Sequence, residues 1–229
     1  MTLAKSGILA IETSGEFCSV AISTNQNDTF SSISYLPNSQ SALLGNLIKN
    51  ILISSETDIS TLKAIAVGSG PGSYTGLRIG LSMAKGLCFA NETPLVAVDS
   101  MQNIACQVFE DNSDLDLVIV ALDARRNEIY MAILDKNLNY TLPTSAIILG
   151  ENSFMHMLTN KKVGIAGDGA NKTLNFFKDQ QDWVYYSNKF AKAETLLQLA
   201  NEKVQKSYFE SLESFEPNYI KPVFITQPK

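Results

Sequence analysis

Short apolar runs bounded by polar or glycine-rich turns alternate along the chain with longer segments whose apolar positions recur at helical spacing. Residues 8–22 and 118–133 each read as a strand, a polar turn and a second strand. Each hairpin is followed by an apolar strand that runs into glycines ahead of a helix, at residues 65–70 and 164–169. This repetition predicts two α/β units with the same internal plan.

Two copies of hairpin, helix, strand, glycine turn and helix are typical of the duplicated ribonuclease-H-like fold of actin, Hsp70 and sugar kinases. We therefore predict an α/β protein with two lobes, and a nucleotide lies between such lobes in that superfamily. The polar stretch at 110–116 is the expected boundary, so residues 1–109 form an N-terminal lobe and residues 110–229 a C-terminal lobe. The final helix and tail are candidates to pack back on the first lobe.

The remaining elements follow from periodicity and from turn residues. The first lobe is expected to add a strand at 30–35, a helix at 38–53 and a helix from about residue 74 to 89. For the second lobe we expect a strand at 163–167 and helices at 151–159, 171–178 and 192–209.

Two neighbouring helices of the first lobe carry more apolar surface than one core needs. Apolar positions cover about half of the 38–53 helix, whereas a core-facing stripe spans about 100°. In the next helix, Gly76 and Gly80 would let a neighbouring helix approach closely. Deep burial would explain either helix alone, but the pair predicts a helix-to-helix partner interface. Its expected residues are Leu43, Leu44, Leu47, Ile48, Ile51, Gly76, Arg78, Gly80, Leu81, Ser82 and Lys85.

The glycine-dense turn at residues 68–76 is a candidate phosphate loop, because backbone N–H groups at a helix N-terminus bind anions. It is neither a Walker A nor a Rossmann sequence, and a tight turn without a ligand is an equal alternative. Gly72 is expected to need backbone angles that other residues rarely adopt.

Two acids, Glu12 and Asp123, fall at equivalent strand ends. There a carboxylate could bind Mg²⁺ on a nucleotide phosphate or cap the turn that follows. The candidate nucleotide-binding residues are Glu12, Gly70, Gly72, Ser73 and Asp123.

Composition narrows the function classes further. With a net charge of -5, the 229-residue chain is a poor surface for binding nucleic acid alone. Its three cysteines form no C-x-x-C pair and are expected in a reduced core. The single histidine, His156, cannot form a His-His metal site. No apolar run is long enough for a signal peptide or a membrane span, so we expect a cytoplasmic protein.

Four segments resemble the bacterial tRNA threonylcarbamoyladenosine biosynthesis family TsaB, also called YeaZ: residues 8–14, 70–80, 84–87 and 122–130. The similarity follows the whole chain in order and length, and the second segment is highly specific. The resemblance implies a catalytically silent paralogue of the transferase TsaD, with which it would form a heterodimer through N-lobe helices. The ATPase TsaE would join them in attaching a threonylcarbamoyl group to the adenosine beside the anticodon.

This chain also departs from the family patterns. The transferase carries a His-x-x-x-His metal motif on the helix that matches residues 38–53, and no histidine stands there. Many TsaB sequences have a histidine where this chain has Asn38, and their terminal Tyr-Leu-Arg is Tyr219-Ile220-Lys221 here.

We therefore predict a scaffold subunit without catalytic or metal-binding residues. It would require no cofactor, with ATP or ADP at most at the complex interface. It would contact tRNA only through the complex, form a homodimer when alone and bind no membrane. The alternatives are an autonomous ATPase or kinase of the actin and sugar kinase superfamily, and a metal-dependent transferase or protease.

Overall fold

The strands of the first repeat form one mixed five-stranded sheet in the computed structural model, which describes residues 7–24, 28–149, 154–178, 180 and 182–221. The sheet order is β3-β2-β1-β4-β5. The first three strands are antiparallel, and β4 and β5 continue parallel to β1. The strands are β1 (Ile8–Glu12), β2 (Cys18–Ser23), β3 (Thr29–Ser34), β4 (Ala64–Gly68) and β5 (Leu95–Val98).

The second repeat forms a sheet with the same plan. Its order, β10-β9-β6-β7-β8, places each strand where its counterpart lies in the first sheet. This equivalence confirms the predicted α/β class and the duplicated arrangement. The strands are β6 (Leu117–Asp123), β7 (Glu128–Asp135), β8 (Tyr140–Ile148), β9 (Val163–Ala166) and β10 (Val184–Tyr186).

Helices α1 (Gln40–Ser54) and α2 (Tyr74–Asn91) contribute to one core with the first sheet. In each helix the side chains spaced three or four residues apart turn towards the strands, as an amphipathic pattern requires. The buried set on α1 includes Leu44, Ile48 and Ile51.

The two lobes exchange their remaining helices. Helix α3 (Ser100–Asp111) follows the last strand of the first sheet, yet its apolar side chains pack against the second sheet. Helix α4 (Ala193–Gln205) follows the second sheet and packs against the first, where alanines on the strands leave room for it. The boundary expected at 110–116 thus comes after a helix that belongs by packing to the second lobe.

Three predicted helices of the second lobe differ from the structure. The 151–159 prediction lies partly outside the described residues, and Met155–Leu158 is a 3-10 helix. Over 171–178 the prediction was wrong, because only a 3-10 turn forms at Ala170–Thr173. The Thr173 hydroxyl donates to the Ala170 carbonyl at 2.7 Å, and Phe176 and Phe177 stack on each other. These contacts favour a turn over a continued helix.

The 192–209 helix was predicted too long, since α4 ends at Gln205 and Ser207 adopts a φ of 55°. The chain then returns along the first lobe, where Leu212 and Phe215 pack against its core. No helix among the described segments is long and apolar enough to cross a membrane.

Candidate functional site

Glu12 ends β1 inside the first lobe and is 1% exposed. Its Oε1 accepts a hydrogen bond from the Ser14 N–H at 2.7 Å, whereas Oε2 has no partner among the described residues. Burial raises the pKa of this carboxyl, and the nearby charge of Asp99 adds to the rise. The side chain therefore caps the turn after β1 from within the core.

The turn after β1 fills the space beside the glycine loop. A Cβ at Gly72 would lie 2.2 Å from the Ser14 carbonyl oxygen, and one at Gly68 would lie 2.3 Å from Glu12 Oε2. Gly72 does not have a positive φ, so the reason expected for that glycine was wrong; Gly70 has the positive φ, of 94°. Because Gly72 has no side chain, the β1–β2 turn can approach the glycine loop closely.

The predicted role of Gly76 and Gly80 was also wrong. Added Cβ atoms would lie 2.1 Å from the Thr13 carbonyl oxygen and 2.2 Å from Thr13 Oγ1, respectively. The Thr13 hydroxyl also donates to the Gly76 carbonyl at 2.8 Å. Both glycines therefore admit the chain's own turn against α2 rather than a helix of another protein.

Ser73 uses its polar groups locally. Its N–H donates to the Ser14 carbonyl at 2.6 Å, and its hydroxyl accepts from the Gly76 N–H at 3.2 Å as the N-cap of α2. The structure thus brings together four candidate nucleotide residues in the first lobe, Glu12, Gly70, Gly72 and Ser73, around the β1–β2 turn.

Asp123 ends β6 in the second lobe and is engaged by its neighbours. Its Oδ1 accepts from the Arg125 N–H at 2.6 Å and from Lys172 Nζ at 2.5 Å. Partial burial raises the pKa of Asp123, but the hydrogen bonds from Lys172 and Arg125 outweigh it and leave the pKa below its ordinary value. Asp168 accepts from the Asp123 N–H at 2.8 Å. This geometry is that of a turn-capping carboxylate.

The predicted partner interface divides into two sets. Six of its residues lie in the core of the first lobe, because the main apolar stripe of each helix faces the sheet, and they cannot contact a partner directly. Five remain exposed or half-buried. The buried set is Leu44, Ile48, Ile51, Gly76, Gly80 and Leu81, and the accessible set is Leu43, Leu47, Arg78, Ser82 and Lys85.

An open groove runs along α2 beside the start of α1. We call it the α2 groove; half-buried apolar side chains stand beside exposed polar ones there. Its lining residues are Ser41, Tyr74, Thr75, Arg78, Ile79, Ser82, Met83, Gly86 and Leu87. Beyond the groove, Phe89 in the last turn of α2 is 82% exposed.

Several groove residues were missed as site residues. Ile79, Met83, Leu87 and Phe89 were not among the predicted interface residues. The helical spacing of 79, 83 and 87 could have shown that they share a stripe separate from the buried one.

Arg78 is held in place on this groove. Its guanidinium lies 4.1 Å from the centre of the Tyr74 ring and 5.9 Å from that of Tyr219. Its Nε donates to the Tyr219 hydroxyl at 3.2 Å. Tyr219 comes from the C-terminal tail, so sequence distance concealed this contact.

A second cavity, of about 610 Å³, lies between β2 and β3 of the first lobe and α3 and the β10–α4 connection of the second. Tyr35 and Phe190 stand at its wall with their ring centres 6.5 Å apart. Lys189 pairs with Asp111 at 2.8 Å. The cavity is thus a polar seam between the lobes with paired charges.

The three cysteines, Cys18, Cys88 and Cys106, are all buried and unpaired. Burial raises the pKa of these thiols to about 11, 12 and 11, respectively. Within the described ranges, no three His, Cys, Asp or Glu side chains are grouped as metal ligands.

Comparison with known proteins places the chain in a family. The family described as TsaD, tRNA N6-adenosine threonylcarbamoyltransferase, matches residues 38–227. The Escherichia coli tRNA threonylcarbamoyladenosine biosynthesis protein TsaB is 34% identical over 132 residues, 58% of this chain and 56% of that protein. The Bacillus subtilis TsaB is 30% identical over 157 residues, 67% of this chain and 66% of that protein. The chain thus spans roughly half to two thirds of the length of these relatives.

A solved structure supports the fold. An uncharacterized Pseudomonas aeruginosa protein with similarity to the peptidase YeaZ superposes with a TM-score of 0.82 at 24% identity. The superposition covers 94% of this chain and 100% of that protein. The predicted two-lobed architecture is therefore confirmed.

Proposed function

We propose that this chain, which belongs to the TsaD family and within it to the TsaB/YeaZ group, acts in tRNA threonylcarbamoyladenosine biosynthesis as a non-catalytic subunit. It pairs with a TsaD-type transferase and stabilises it, and a TsaE-type ATPase completes the complex. tRNA is contacted through that complex in the cytoplasm. A nucleotide, where one binds, lies at the complex interface.

The α2 groove is the observation that carries this proposal. Its apolar side chains pack on the core with one side and remain partly exposed on the other. Fully burying an exposed aliphatic side chain contributes about 1.5–3 kcal/mol, and covering these half-buried ones with a partner would contribute part of that. Leu43 stands about 200° around α1 from the groove residue Ser41, so the half-buried Leu43 and Leu47 form a separate patch on α1.

The state of the two strand-end acids supports a binding role over autonomous hydrolysis. Glu12 is buried under the glycine loop, and Asp123 is paired with Lys172. To organise Mg²⁺ and a nucleoside triphosphate, Glu12 would have to become exposed or Asp123 would have to leave Lys172. The sequence also lacks the paired histidines that a TsaD-type metal centre would use.

Reconstitution of the modification tests the proposal. The purified chain, a TsaD-type transferase, a TsaE-type ATPase, unmodified tRNA, ATP and an activated threonylcarbamoyl donor are assayed together and with each protein omitted. We expect no product and negligible ATP hydrolysis with the chain alone, and a large loss of product when the chain is omitted. Turnover by the chain alone, or full product without it, would refute the proposal.

A further inference from the structure

The C-terminal tail returns to the first lobe after α4 and is fastened along it. The Glu210 N–H donates to the Leu95 carbonyl at 2.9 Å, which caps the edge of the first sheet. Leu212 and Phe215 then pack against the first core. These contacts bring the following residues to the glycine loop and the start of α2.

Residues 218–221, which we call the strap, cross from the first lobe to the second. The Asn218 N–H donates to the Ser69 carbonyl at 2.8 Å, and the Tyr219 ring lies 5.1 Å from that of Tyr74. At its far end, Lys221 forms an ion pair with Glu128, the first residue of β7. The strap therefore joins the glycine loop to the second sheet.

Arg78 is the point where the strap meets the α2 groove. A guanidinium has five N–H donors, and the Nε–H of Arg78 is taken by the Tyr219 hydroxyl. The Tyr74 ring covers one of its faces. Arg78 forms no ion pair within the described part of the chain, so its terminal nitrogens keep the fork geometry that matches a carboxylate.

Fixing this side chain in advance has an energetic consequence. An exposed arginine loses rotamer freedom when a partner immobilises it, and a side chain already held loses less. The strap thus lowers the entropy cost of using Arg78 as a contact.

We propose that Tyr219 is a positioning residue for partner binding, which holds Arg78 ready to receive a carboxylate of the partner beside the α2 groove. This inference rests on the proposed function and adds to it the chemistry of one partner contact. Under this proposal, α2 and the C-terminal tail together form the surface that binds the partner.

Variants of the strap test the inference through the affinity of the full chain for a TsaD-type transferase, measured by calorimetry. Tyr219→Ala removes the ring and the hydroxyl, and we expect affinity to fall about tenfold. Tyr219→Phe keeps the ring but removes the hydroxyl that accepts from Arg78 Nε, so it should show most of the same loss, whereas full affinity would indicate that the ring only packs. Arg78→Lys keeps the charge without the fork and should weaken binding as Tyr219→Ala does.

The matched control is Tyr208→Ala, since Tyr208 is an exposed tyrosine of the same tail, 64% exposed and away from the strap. It should bind as the wild type does. Affinity within twofold of wild type for both Tyr219→Ala and Arg78→Lys would overturn the inference.

Hydrogen exchange of the chain alone tests the strap independently of partner binding, so an error in the inference can be distinguished from an error in the proposed function. In the chain alone, the Asn218 amide should be protected, and Tyr219→Ala should remove the protection while Tyr208→Ala preserves it. If the wild type binds no transferase, the proposed function fails. An Asn218 amide that exchanges freely in the wild type would refute the strap whether or not a partner binds.

Discussion

A neighbouring carbonyl group leaves no room for a side chain at Gly72. The Ser14 oxygen occupies the place where a Cβ would stand, and the Ser73 N–H bonds to the same oxygen. Glycines of this kind fix the β1–β2 turn against α2. The sequence marked the loop as unusual but could not show what fills it, because the two segments are far apart in the chain.

Gly72→Ala should therefore destabilise the protein. Forcing a methyl group against backbone costs about 1–3 kcal/mol or more, since neither the loop nor the turn can move independently. Urea unfolding measures the change. Gly86→Ala is the control, because Gly86 lies in the same lobe on α2 with open space around its Cα.

Alanine at Gly86 should stabilise the helix by up to about 1 kcal/mol, as expected for its greater helix propensity. Equal effects of the two substitutions would show that loss of glycine flexibility, and not the Ser14 contact, decides stability.

The buried carboxyl of Glu12 makes stability depend on pH. Burial raises its pKa in the folded protein above that in the unfolded chain. Its contribution is thus fully present below the unfolded value and is lost as pH rises through the folded value.

Glu12→Gln stays neutral at every pH and keeps an acceptor for the Ser14 N–H. As pH rises above the ordinary glutamate pKa of about 4.3, the free energy of unfolding of Glu12→Gln should therefore rise relative to that of the wild type. Glu16→Gln, an exposed change in the same turn, controls for the loss of one negative charge. A difference between wild type and Glu12→Gln that does not change with pH would contradict the account.

At the level of elements, α1 and α2 show what an apolar pattern can predict. Strands and helices of the first lobe formed close to the predicted bounds, because local periodicity and the Ser73 cap specify them. The excess of apolar positions also predicted a partner surface, which stays a prediction, but six of the eleven named residues serve the core. The sequence shows how much of the helix circumference is apolar. Which of these apolar residues are buried depends on where the sheet packs against the helix.

Substitutions at the neighbouring residues Leu43 and Leu44 of α1 should distinguish the partly exposed side of the helix from its buried side. Leu44 is 1% exposed, so Leu44→Ala should cost about 2–5 kcal/mol of stability. Leu43 is only half-buried, so Leu43→Ala should cost about 1 kcal/mol, less than Leu44→Ala. Chemical denaturation of both variants checks this order, and a larger loss for Leu43→Ala would contradict it.

At the scale of the whole molecule, the exchanged helices couple the lobes. Helix α3 was not predicted from the sequence, and its apolar face would suit either sheet. Its docking on the second sheet, and that of α4 on the first, depends on chain crossings that local patterns do not encode. The division at 110–116 is therefore a boundary in sequence and not in packing.

Fragments cut at this boundary should not fold independently. Residues 1–112 would expose the apolar face of α3 and uncover the sheet face that α4 protects, and residues 113–229 would lack the matching partners. We expect each fragment to show little cooperative thermal unfolding by circular dichroism and the mixture to recover it. A cooperatively folded 1–112 fragment would show that the exchange is dispensable.

The central claim, that the helices at the α2 groove bind a TsaD-type transferase, is tested most directly by sedimentation of the two proteins together. The wild type should form a heterodimer with the transferase. The double variant Arg78→Glu with Ser82→Glu, which changes two exposed residues of the groove, should remain folded and sediment separately. Ile148→Glu, which places a glutamate on an apolar side chain that is 55% exposed on β8 of the second lobe, should bind as the wild type does. Failure of the wild type to form a heterodimer, or equal binding by wild type and the double variant, would contradict the claim.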